Sequence, residues 1–140
     1  VAAFNKFHAL VEALAEKKHD LATDVLKVLL TNVAPVATNA VKADLTEIAA
    51  GAGYTAGGNT ATVSSSSQTG GLYKLVLADP PTWTATGGSL GPFRYAALYN
   101  SSTAAGDLIG WWDYGSSITL QAGETFQVDF DASTGVLTLQ

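Results

Sequence analysis

The residues Gly87-Gly88-Ser89-Leu90-Gly91 spell G-x-S-x-G, the pattern in which a hydrolase turns sharply from strand to helix and exposes a nucleophilic serine. Here Pro92 and the strand-like run FRYAALY follow where that helix would begin, and both histidines lie far upstream in a helical pattern. A glycine-rich turn is expected, without catalysis by Ser89. Gly51-Ala52-Gly53-Tyr54-Thr55-Ala56 fits the permissive dinucleotide fingerprint, whose glycines let the backbone approach a pyrophosphate at a helix start. Gly57-Gly58-Asn59 turns the chain where that helix should run, so a surface loop is expected instead. On a continuous helix His8 and His19 would stand roughly 16 Å apart along the axis, too far to share a metal. His8 is expected at the boundary of an apolar stripe, and His19, beside Asp20, as a charge at the helix C-terminus. Asp129, Asp131 and Ser133 begin like a calcium loop, yet Gly135 falls one place late and Gln140 stands where the bidentate glutamate belongs. No catalytic residue, cofactor or metal is expected.

The elements that must carry these residues divide at His19. Before it, Phe4, Phe7, Val11 and Leu14 recur at helical spacing with Leu10 beside them, and Asn5, Glu12, Glu16 and Lys17 lie opposite. The spacing predicts a helix over residues 3–18, about 24 Å long. Its stripe must lie either on its own domain or on a second subunit. After His19 the period becomes 2 and the residues turn β-branched, aromatic and glycine-punctuated. Strands are expected over 25–31, 73–78, 83–86, 93–100, 108–114, 117–120, 125–131 and 136–139. Residues 33–71, rich in Ala, Thr, Ser and Gly, read as an excursion over the surface, with short strands at most near 45–48 and 60–64. In 125–131, Phe126, Val128 and Phe130 share one face while Gln127 and Asp129 share the other, the pattern of a half-buried strand. Repeated alternation between short turns predicts a mainly β chain: a single domain over 1–140, with an N-terminal helix in 1–20 and an antiparallel β-sandwich or jelly roll in 21–140.

A chain of 140 residues, 47% hydrophobic, can bury one core without a disulfide, and Cys 0 leaves none to form. Charged residues make up only 14%, with a net charge of −5, which excludes a strong electrostatic grip on a phosphate backbone; no nucleic-acid partner is expected. No run approaches the length of a membrane span, and charges at Lys6, Glu12, Glu16, Lys17 and Lys18 break any signal-peptide core. With Met 0, Val1 is expected to follow a processed start. A surface of small neutral residues suits close contact between proteins, whose interfaces are depleted of Lys and Glu.

Trp83, Trp111, Trp112, Tyr99 and Tyr114 are the largest apolar side chains to bury. Adjacent Trp111 and Trp112 in a strand point to opposite faces, so one of them needs either an interface or a second cover such as the N-terminal helix. Arg94, between Phe93 and Tyr95, is expected to stack on an aromatic ring or fork onto a carboxylate such as Asp113.

The segments FNKFHALVEALAEKKHDL, LKVLLTNVAPVATN, AAGAGYTAGGNTATV, WTATGGSLGPFRYAALYN and LIGWWDYGSSITLQAGETF follow one another as in the cement, or head decoration, proteins of short-tailed bacteriophages. Over its whole length the chain resembles that family, in particular the Bordetella phage type. The resemblance implies a non-enzymatic jelly-roll protein, commonly a homodimer, made in the bacterial cytoplasm. It would reside on the outer surface of the virion capsid, where it binds the major capsid protein and bridges capsomers. The candidate partner-binding residues are Phe4, Phe7, Val11 and Leu14 as a subunit-facing stripe, Tyr54 in a capsid-facing arm over 51–59, and Trp111 and Trp112. Two other classes compete: a receptor- or carbohydrate-binding module of a phage fibre, and a small hydrolase.

Overall fold

The computed structural model describes residues 2–140. Its elements are β1 (Asn5–Lys6), α1 (Ala9–Ala15), β2 (Leu26–Thr31), a 3-10 turn (Lys42–Asp44), β3 (Asn59–Ala61), β4 (Val63–Thr69), β5 (Leu72–Leu77), β6 (Trp83–Thr84), β7 (Leu90–Asn100), β8 (Leu108–Leu120), β9 (Thr125–Phe126) and β10 (Leu137–Leu139). The chain is mainly β, with antiparallel pairing throughout and a short helix near the N-terminus, the architecture of a β-sandwich. A five-stranded sheet runs in the order β1-β8-β7-β2-β3; a three-stranded sheet, β10-β5-β4, and the β6-β9 pair complete the fold.

Both faces of the large sheet carry apolar side chains, and alternation sorts them. Leu26, Val28 and Leu30 of β2, Ala96 and Leu98 of β7 and Trp112 of β8 meet Leu75, Leu77 and Leu137 of the smaller sheet in the main core. Leu29, Ala97, Tyr99 and Leu108 point the other way, where Phe7, Leu45 and Trp111 complete a second cluster. The segment 33–48 is therefore more than a surface excursion. It is laced across this second face by backbone hydrogen bonds from Leu108 N to Ala40 O (3.0 Å), from Lys42 N to Gly106 O (2.9 Å) and from Ile48 N to Leu30 O (3.0 Å).

The N-terminal segment departs from the expected long helix over 3–18. Residues 5–6 are a strand paired to β8, Asn5 opposite Trp111 and Lys6 opposite Gly110, and α1 spans only Ala9–Ala15. Phe4 and Phe7 are an odd number of residues apart, so in extended backbone they address opposite sides of the sheet. Phe4 sits 5.5 Å from Trp112 and Phe7 sits 4.5 Å from Trp111, centroid to centroid. The strand form lets the two rings cover the adjacent indoles in the two separate clusters, which a single helical face could not do. α1 ends in a Schellman arrangement: Lys18 N donates to Ala13 O (2.8 Å) and Lys17 N to Leu14 O (3.3 Å), with Lys17 in the left-handed region at φ 64°.

The expected strand over 125–131 keeps its alternation but makes ladder bonds only at Thr125–Phe126. Val128 and Phe130 are buried and Gln127 and Asp129 exposed, as the pattern required. Beyond Phe126 the polar groups turn to the proline loop: Gln127 Nε2 donates to Pro80 O (3.0 Å), and Phe130 N to the Asp79 carboxylate (2.7 Å). The expected strands at 108–114 and 117–120 are one continuous β8.

Candidate interaction surface

From Ile48 to Tyr73 the chain has no Asp, Glu, Lys, Arg or His. It builds two exposed features, a loop over 51–58 and the strand β4, and the residues just before it fix the loop. Glu47 takes three partners: Tyr54 Oη donates to its carboxylate at 2.5 Å, Gly57 N donates at 2.6 Å, and Lys42 Nζ lies 3.4 Å away. Tyr54 Oη also accepts from Leu30 N (3.1 Å), and Tyr99 Oη donates to Gly57 O (2.6 Å). Burial first, and the Glu47 carboxylate second, raise the Tyr54 hydroxyl far above its ordinary range, and the same two causes raise Tyr99. Both phenols stay neutral and keep donating. The Tyr54 ring stacks toward Trp83, which stacks in turn on Phe126 (centroids 6.3 and 6.1 Å). Tyr54 is thus the anchor of the arm and not its contact tip; the outward residues are Gly51, Gly53, Thr55 and Ala56. Gly58 lets the arm rejoin the sheet, because a Cβ there would lie 1.8 Å from Val28 O at φ +75°.

Among the described residues β4 is an edge strand, paired only to β5. Thr69 and Leu72 flank the two-glycine turn Gly70-Gly71, which has φ of 60° and 86°. With that hairpin geometry Thr69 and Ser67 exchange ladder bonds with β5, while the N–H and C=O groups of Gln68 and Ser66 point away from the sheet.

The remaining candidates separate clearly. Phe7 is completely buried and Trp112 is 7% exposed, both within this chain, while Trp111 is half-covered by Phe7. The stripe Phe4–Phe7–Val11–Leu14 therefore does not form one outward face: Phe4 and Leu14 are partly buried against the main core, and only Val11, at 56%, is exposed. Arg94 forks onto Asp113 as expected, at 2.8 and 3.0 Å, tying β7 to β8 on the surface. Ser89 lies in an exposed turn and donates to Gln121 Oε1 (3.3 Å), and a strand follows it, not a helix. Asp131 accepts from Ser133 and Thr134 within its own turn, and these bonds hold its carboxyl at about 2. Among the described residues no cluster of three His, Asp or Glu side chains could hold a metal ion, and no helix is long and apolar enough to cross a membrane.

His19 differs from the exposed, charged cap expected of it. It is buried; its Nδ1 faces Asn100 Nδ2 at 2.9 Å and its Nε2 has no partner among the described residues. Asn100 Nδ2 also donates to Asp24 (2.6 Å) and Asn100 Oδ1 accepts from Ser102 N (2.9 Å), which fixes the amide so that the Nδ2 side faces the ring. Nδ1 must then accept, and the ring's proton sits on Nε2. Burial lowers the His19 pKa against the opposing pull of Asp107 and Asp24.

A hollow of about 590 Å³ opens beside the N-terminal strand, lined by Phe4, Trp112, Asp129, Phe130, Asp131 and Val136 among others. Trp112 packs there against both Phe4 (5.5 Å) and Phe130 (5.4 Å), centroid to centroid. Comparison with models of protein families, with curated proteins and with solved structures finds no match to this chain.

Proposed function

We propose that this protein is a capsid cement protein, which binds the outer surface of a phage head through the major capsid protein and stabilises contacts between capsomers. The observation that carries this is the uncharged run from Ile48 to Tyr73, displayed on a braced arm and an open strand edge. Desolvating small neutral side chains and backbone costs less than stripping water from Lys or Glu, so such a surface suits a close, water-excluding contact. Bracing by Glu47, Tyr54 and Tyr99 lowers the ordering entropy lost on docking. A ligand that binds only the assembled lattice stabilises it by mass action, and linked copies add avidity. Homodimerisation belongs to the same proposal.

A carbohydrate-binding fibre module would use the hollow at Trp112, where aromatic rings and carboxylates meet. That indole is only 7% exposed, with Phe4 and Phe130 against it, so it offers a sugar little surface for stacking. The cement reading has the stronger support. Its test is co-sedimentation of the purified protein with expanded heads stripped of it, together with the heads' melting temperature. Saturable, high-copy binding that raises the melting temperature is expected; absence of binding would transfer the proposal to the fibre module.

A further inference from the structure

We propose that the outer edge of β4 is the docking site for an extended segment of the capsid-surface protein, which adds to the β10-β5-β4 sheet as a further strand. This rests on the cement reading and specifies its mode of attachment. Proteins guard sheet edges with Lys, Pro, strong bulges or covering loops. Along Val63–Thr69 there is no charge and no proline, and the irregularity in the ladder is confined to the Val63/Ser65 end. Ser66 and Gln68 thus offer unpaired N–H and C=O groups on a strand whose serines leave room for a close neighbour.

The surroundings of this edge specify the incoming strand. Ser66 pairs with Leu75 and Tyr73 pairs with Leu139, which sets all four side chains on the core-facing side of the small sheet. At that side a hollow of about 420 Å³ has Leu14, Leu21, Tyr73 and Leu139 in its wall, with Lys17 and Asp20 as its charged lining residues. A second, of about 310 Å³, continues past Ala22 to Val25, Thr62 and Val63. A strand laid along β4 would pass these hollows with every second side chain turned toward them. The fitting segment alternates: apolar residues inward, polar residues outward, with no net negative charge. A second copy of this chain fits less well. Each copy carries a net −5, and the two hollows are lined by Asp20 and Asp24 with Lys17 as the one lysine, so a second acidic copy is a poorer electrostatic match than a strand without negative charge.

The test compares wild type with Ser66→Pro and Ser66→Ala. Proline at 66 removes an N–H that points away from β5, so the hairpin ladder is kept while strand addition is blocked. Binding to stripped heads is expected to fall by roughly tenfold or more in Ser66→Pro, by the loss of one or two backbone hydrogen bonds, and to change less than about twofold in Ser66→Ala. Hydrogen exchange on wild type supplies a readout free of any folding defect: amides of 63–69 should slow on head binding. Wild-type binding with unchanged exchange in 63–69, or with Ser66→Pro bound as tightly, would overturn the edge site and leave the cement reading standing. No binding by wild type would overturn both. A wild-type dimer in sedimentation that Ser66→Pro converts to monomer would reassign the edge to a copy–copy contact and overturn the partner strand.

Discussion

Truncating Phe7 to Ala separates an N-terminal segment that is part of the core from one that waits for a partner. Phe7 has no exposed surface, and its ring packs 4.5 Å from Trp111 in the second cluster with Leu29, Ala97, Tyr99 and Leu108. Removing a fully buried Phe ring costs about 3–5 kcal/mol, part of it from the cavity left behind. For a domain near this size each kcal/mol lowers Tm by about 3–4 °C, so a fall of roughly 9–20 °C is expected. Val11, on the same predicted stripe, is 56% exposed, and Val11→Ala should stay within about 0.5 kcal/mol of wild type. Scanning calorimetry gives both values, and near-ultraviolet circular dichroism of Phe7→Ala should show a changed tryptophan signal as Trp111 loses its neighbour. A Phe7→Ala protein melting within about 3 °C of wild type, or a Val11→Ala protein falling as far as Phe7→Ala, would refute the assignment of Phe7 to this chain's own core.

Gly110→Ala should free the N-terminal strand without unfolding the sandwich, because the new Cβ would lie 2.1 Å from the Phe4 ring and 2.8 Å from Asn5 O; limited proteolysis should then cut within residues 2–7, and resistance equal to wild type would contradict it. Lys17→Gly should raise stability by about 0.5–1 kcal/mol in denaturant titrations, since a non-glycine residue occupies the left-handed cap position at φ 64°. Acid should weaken the fold through His19. Its folded pKa lies below the unfolded value of 6.5, so its contribution is fully present above about 6.5 and is lost as pH falls toward the folded value, while the unfolded chain takes up the proton first. His19→Gln should flatten the Tm-against-pH curve between pH 7 and 5; an unchanged slope would place the effect elsewhere.

The sheet strands were legible because alternation survives folding: β2, β5, β7 and β8 lie where β-branched and aromatic runs predict them. The first residues were not, because a spacing of three satisfies two geometries. On a helix it stacks Phe4 and Phe7 on one face; on a strand it sends them to opposite faces. The deciding fact sat more than a hundred residues away, in the adjacent Trp111 and Trp112, which demand covers on both sides of β8. The need for a second cover was visible in the sequence, but its form as strand plus short helix was not. Residues 127–131 show the complementary case. Their pattern correctly announced which side chains are buried, but a pattern of burial says nothing of where backbone donors go, and Asp79 and Pro80 take their polar groups. Tyr54 carries a signal of its own: it is the only aromatic residue between Ala49 and Leu72. Its ring is the one large apolar side chain that segment can bury, and it is 3% exposed, so it holds the loop down.

The uncharged run and the open sheet edge coincide at β4. An uncharged strand edge is a hazard to any protein that leaves it open, since it templates pairing with whatever extended chain it meets. This chain spends four consecutive serines there, where Val or Ile would raise β propensity, so the edge keeps its hydrogen-bonding capacity while shedding most of the apolar drive for indiscriminate association. Specific affinity must then come from features beside the strand: the hollows lined by Leu14, Leu21, Tyr73 and Leu139, and the arm held by Glu47. A partner that offers only a backbone gains little, and one that also fills the hollows gains their apolar area. Replacing Tyr73 by Ser would separate the two contributions. It removes the ring from the wall of the larger hollow and its 2.8 Å hydrogen bond with Ser66, yet leaves the outward N–H of Ser66 in place. Binding to heads should weaken by roughly tenfold while exchange protection of 63–69 at saturation persists. Loss of that protection at saturation would show that the hollow and the edge do not act as separable parts of one site.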